Sequence, residues 1–166
     1  MQKEQREVWM RGALPNIPPL LQPVAHALLQ VAEDIALLLE EVDETKLWER
    51  PNQVASPAFH IQHIGGVIDR MFTYARQEAL SEAQFAYLQQ EGKYAAEITK
   101  ASLLRDVQAQ IRRAVDELSS VREETLTEKR YLGRQQLPTT LIGLLFHAAE
   151  HSQRHVGQLL VTIRCL

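Results

Sequence analysis

The chain has 166 residues, of which 45% are hydrophobic and 23% charged, and a formal net charge of −3. That length suits one domain with a sizeable core, the composition is that of a folded globular chain, and the scattered basic residues exclude the electrostatic footprint of a nucleic-acid binder. No run of about 18 apolar residues excludes a membrane span, and the opening MQKEQREVWMRGALP lacks the apolar stretch of a signal peptide. The single Cys165 rules out an internal disulfide and a multi-cysteine zinc site, so a cytoplasmic protein is expected.

Residues 1–19 carry Pro15, Pro18 and Pro19 and read as an irregular arm that packs Trp9 on the body. The bundle domain is expected over residues 20–166. Leu21, Val24, Ala25, Leu28, Val31, Ala32, Ile35, Leu38, Leu39 and Val42 recur at helical spacing, and Pro23 is tolerated because it falls in the first turn. A second helix is punctuated by Ser56 as N-cap and Pro57 at the first helical position. Its apolar stripe is Ile64, Val67, Ile68, Met71, Phe72 and Ala75. Ser81 and Gln84 fit a capping box for a short helix that Gly92 ends. The third long helix is expected from Ser102 to Glu123, with Leu104, Val107, Ile111, Ala114, Val115 and Leu118 inward. Thr139 or Thr140 caps the fourth, which runs to Arg164. No strand is evident. The pattern predicts an all-α four-helix bundle with a short extra helix between the second and third long helices, an architecture that commonly builds metal sites from inward side chains.

Histidines supply the candidate chemistry. In LLFHAAEHSQRHVGQLL, His147, His151 and His155 follow one another at intervals of four residues, which places them as neighbours on one helical face. His151 and His155 take places on the inward stripe and His147 borders it. The second helix adds His60 and His63. A buried imidazole needs a partner, and either core hydrogen bonds or a metal ion satisfies that need. Two histidines of one helix and one of another would give three ligands and an open position, the form of a catalytic zinc site. The chain has no HExxH, no ExxH, no CxxC, no GxSxG and no Gly-rich phosphate loop, which removes zincin, ferritin-like di-iron, thiol-redox, serine-hydrolase and nucleotide readings. Glu150 points about 100° away from His151 on a helix and reads as an outer or surface residue that orients a ligand or pairs with Arg154.

Three stretches resemble the DinB/YfiT-like bundle proteins. LWERP at 47–51 is similar to the lead-in before that family's second helix. SPAFHIQHIGGVIDR is similar to the second helix itself, with a serine seven residues before a ligand histidine. LPTTLIGLLFHAAEHSQRHVGQLL is similar to the last helix and its EHxxxHxGQ core. The resemblance covers residues 20–166. It implies one divalent transition ion, zinc or nickel, held by His63, His151 and His155, with His60 and His147 nearby and not binding. It also implies a homodimer, and a low-molecular-weight thiol or another small molecule as substrate, with no nucleic-acid or membrane partner.

Two functional readings follow. One is a metal-dependent enzyme that transfers a thiol to electrophiles or hydrolyses its substrate at an open three-histidine site. The other is a non-catalytic, stress-associated bundle protein whose metal is structural or regulatory.

Overall fold

A computed structural model describes residues 6–166. The proposed arm begins outside that range, at residues 1–5. Four long helices form the bundle: α1 (Gln22–Glu40), α2 (Pro57–Ala75), α4 (Lys100–Leu118) and α5 (Leu141–Arg164). The short α3 (Glu82–Gln90) lies between α2 and α4. This is the expected all-α bundle. α1 and α2 each pack on both α4 and α5, so α1 and α2 occupy one diagonal and α4 and α5 the other.

The inward stripes account for the association. Leu28, Ile35, Ile64, Ile68, Ile111, Leu118, Leu145 and Leu159 are fully shielded from water, and burying such a side chain contributes about 1.5–3 kcal/mol. Every residue of the expected α2 stripe is buried, as are all those of α1 except Ala32, which packs on the core partly buried. In α4 Leu103 is buried in place of the expected Leu104, which with Val115 is only partly covered. That helix is shifted from the expected span. Thr99 and Ser102 form its capping box, and it stops at Leu118, where the hydroxyls of Ser119 and Ser120 donate back to the carbonyls of Asp116 and Glu117.

A two-stranded antiparallel hairpin, β1 (Lys129–Leu132) and β2 (Leu137–Thr140), precedes α5 and corrects the expectation of no strand. It escaped notice because its strands are four residues long and its one buried side chain is charged. Arg130 turns inward, and its Nε donates to the Ala75 carbonyl at 2.7 Å, fastening the hairpin to the C-terminal end of α2, where a cation is favoured. Thr140 ends β2 and caps α5 by accepting from the Gly143 amide, so the hairpin sets where α5 begins.

The arm also departs from expectation. Val8 and Ile17 are buried, whereas Trp9 is 60% exposed and its indole N–H donates to Glu7 Oε2. Gln30 Oε1 accepts from the Val8 amide, and Gln22 bridges to Leu14 and Ile17. Polar bonds to α1 and two aliphatic anchors hold the segment, so the tryptophan is left free. Among the described residues no helix is long and apolar enough to cross a membrane.

Candidate metal centre

The two helix caps set the site. Ser56 Oγ accepts from the Phe59 amide and starts α2 with Pro57 in its first turn, which places His60 and His63 on the turns that face α5. Thr140 starts α5 in a register that turns His155 into the core and leaves His151 half-buried. The rings of His63 and His155 are 4.6 Å apart between centroids, those of His151 and His155 4.7 Å, and those of His63 and His151 5.3 Å. Each of the three offers a nitrogen, and these nitrogens all lie within 4.8 Å of one another. The Nε2 atoms of His63 and His151 are 3.1 Å apart. Two nitrogens about 2.0–2.1 Å from one ion, at ordinary coordination angles, stand roughly 3 Å from each other. The donor set therefore fits a divalent transition ion.

The far side of His63 is pinned by a residue that the sequence did not single out. Its Nδ1–H donates to Glu91 Oε2 at 2.6 Å, and Glu91 Oε1 accepts from Arg70 Nη1 at 2.7 Å. With the proton on Nδ1, His63 Nε2 presents a lone pair toward His151. A carboxylate behind a ligating imidazole is the usual outer partner at such sites. Glycine makes room for it: a Cβ at Gly66 would overlap Glu91 Oε1 and Arg70 Nη1. At Gly92, with φ of 77°, a Cβ would lie 2.9 Å from the Phe59 ring, which itself stacks on His63 at 5.2 Å. Glu91 lies 28 residues from His63, past the end of α3, where no periodicity points to it. The paired Gly65 and Gly66 inside a helix were the available signal, since a helical glycine marks a close approach.

His60 does the same for His155. Their Nδ1 atoms are 3.0 Å apart, His60 Nε2 is 3.4 Å from Thr162 Oγ1, and that hydroxyl donates to the Ala55 carbonyl. One proton assignment satisfies the whole chain: His155 Nδ1–H donates to His60, and His60 Nε2–H donates to Thr162. It leaves the lone pair of His155 on Nε2.

Electrostatics favours neutral imidazoles. Burial, reinforced by the neighbouring His63, pushes His60 down to about 4. Burial and the adjoining His63, His151 and His60 push His155 down to about 3, and burial also lowers His151. Metal coordination requires the neutral ring. His147 is 43% exposed and bonds through Nδ1 to Glu150 Oε1, while the other oxygen of Glu150 accepts from Arg154. Glu150 thus pairs with Arg154, one of the two roles read from its position in the helix.

The sequence profile of the DinB superfamily matches residues 27–159. The chain belongs to the DinB superfamily. The matched span holds all three clustered histidines together with Glu91 and Arg70, so the DinB frame contains the whole candidate centre. Among curated proteins no match to the chain is found.

Proposed function

We propose that this DinB-superfamily chain binds one divalent transition ion, zinc or nickel, through His63, His151 and His155, and acts in the cytoplasm as a metal-dependent enzyme on small molecules. The carrying observation is the 3.1 Å approach of His63 Nε2 to His151 Nε2, with the rear nitrogen of His63 held by Glu91 and that of His155 by His60. Glu91 is taken up by His63 and Arg70, so among the described residues the group of nearby donors is three histidines without a fourth protein ligand. When bound, a divalent ion at such an open site lowers the pKa of a thiol or a water placed on it. The residues' part is to orient the donors, keep them neutral and fix their tautomers. Transfer of a low-molecular-weight thiol to an electrophile, or hydrolysis, is the reaction class that this chemistry serves.

The alternative, a structural or regulatory ion without catalysis, has one observation in its favour. The cavity of about 360 Å³ between α2, α3 and α4 is lined by Gln62, Asp69, Tyr87 and Asp106 and by none of the three histidines. The two readings separate on one experiment. The purified, metal-loaded protein is incubated with a panel of thiols and electrophiles, or with hydrolysable esters and amides, and consumption is followed by mass spectrometry. Turnover that disappears with His151→Ala supports the enzyme. A loaded protein that consumes nothing in the panel supports the alternative. A homodimer belongs to the same proposal, with α1 and α5 packed side by side and exposing Leu37, Leu160 and Val161.

A further inference from the structure

We infer that α5 carries a second, outer ion position, formed by His147, Glu150 and His151, that shares His151 with the inner three-histidine group and hands divalent ions on to it. The inference rests on the metal-binding reading and deepens it.

The three residues stand at i, i+3 and i+4 on one helix, as His-Ala-Ala-Glu-His. Each offers a ligand atom, and those atoms lie within 4.8 Å of one another. Two of them already converge: His147 Nδ1 is 2.8 Å from Glu150 Oε1. His147 and His151, four residues apart, put two imidazoles on one helical face, the spacing by which helical zinc motifs ligate, and here the Glu150 carboxylate converges on the same point. Imidazole and carboxylate together suit zinc-like divalent ions.

Exposure gives the two positions different roles. The His147 and Glu150 side chains are 43% and 30% exposed, whereas His155 is buried. An ion from solvent meets the outer pair first. Arg154 holds the second oxygen of Glu150 at 2.8 Å, and its positive charge opposes a cation there. The outer position is therefore suited to transit and not to storage.

His151 is the shared element. Its ring centroid is 5.0 Å from that of His147, 4.7 Å from that of His155 and 5.3 Å from that of His63, nearly equidistant from the outer and inner partners. His63 is anchored by Glu91 and stacked on Phe59, His155 is anchored by His60, and His147 by Glu150. Among the described residues, only His151 Nδ1 is a buried side-chain nitrogen or oxygen without a partner. Turning the His151 ring from one set to the other breaks no hydrogen bond at Nδ1.

The test is stopped-flow uptake of cobalt(II) by the metal-free full-length chain, read from visible absorption, for wild type, His147→Ala and Glu150→Gln. Both variants should reach one equivalent with the wild-type final spectrum, but several-fold more slowly. His63→Ala should retain a weak equivalent that is lost when His147→Ala is added. Because His147 lies at the surface, its replacement leaves the fold intact, which circular dichroism verifies. Uptake by His147→Ala at the wild-type rate, with residual binding in His63→Ala unaffected by the second change, would remove the outer position. A wild-type chain that bound no cobalt would remove the inner site too, a different and separately recognisable result.

Discussion

His63 Nδ1 and Glu91 Oε2 are 2.6 Å apart, and the Glu91 side chain is 97% shielded from water. Arg70, also buried, neutralises the carboxylate from its other side. Glu91→Gln keeps the volume and removes the charge. It should weaken metal affinity about 10- to 100-fold, the usual cost of losing an outer-sphere partner. It also leaves Arg70 buried without its counter-charge, and breaking such a pair costs about 3–5 kcal/mol. Competition against a chelator and thermal unfolding of the metal-free chain measure the two effects. Unchanged affinity would show that Glu91 does not set the orientation of His63.

Gly66→Ala should reproduce part of that phenotype without touching a charge. The added methyl overlaps the Glu91–Arg70 contact, so the pair must move and His63 loses its anchor. Alanine is otherwise the better helix former, by about 0.8–1.0 kcal/mol. A more stable Gly66→Ala chain with wild-type affinity would contradict the close packing described.

His60→Ala removes the acceptor behind His155 and leaves the Nδ1–H of that ring without a bond. Affinity should drop about 10- to 100-fold, and His60→Gln, which restores an acceptor, should recover part of it. The measurement is again chelator competition, with circular dichroism as the control for folding. Identical losses in both variants would assign His60 to packing alone.

The metal-free chain should lose stability as pH falls below about 6.5. His60 and His155 have folded-state values near 4 and 3, below the unfolded value of about 6.5. Between those limits the unfolded state binds more protons than the native state, so stability rises with pH there and is level above it. Each histidine contributes up to about 1.4 kcal/mol per pH unit in that window. Urea unfolding at a series of pH values checks the slope. A flat profile from pH 6.5 to pH 4.5 would mean that the rings are not held neutral.

The helices were legible because their burial repeats with the α-helical period and their caps are spelled out: Ser56, Ser81 and Thr140 all cap as their identities suggest. The clustering of His63 with His151 and His155 was legible from spacing joined to the family resemblance. Glu91 was not, because it reaches His63 through a turn after α3, and a lone glutamate before a glycine carries no periodic signal. The hairpin was hidden for a related reason, since its inward residue is Arg130, bonded to the Ala75 carbonyl, where a strand pattern calls for an apolar side chain. Trp9 misled in the opposite direction: its size suggested an anchor, but Val8 fills that place.

A homodimer through the α1 and α5 faces should sediment as one species of twice the chain mass at micromolar protein. Leu37→Glu or Val161→Glu should return it to the monomer, because each places a charge at an exposed apolar position of those helices. A wild-type monomer across that concentration range would contradict the assembly.

The ligand set itself is tested most directly by native mass spectrometry of the zinc-loaded chain at neutral pH, comparing wild type, His151→Ala, His155→Ala and His147→Ala. Wild type and His147→Ala should each carry one ion per chain, while His151→Ala and His155→Ala carry none after dialysis. One retained ion in His151→Ala together with an empty His147→Ala would contradict the assignment, and an ion-free wild type would contradict the metal centre as a whole.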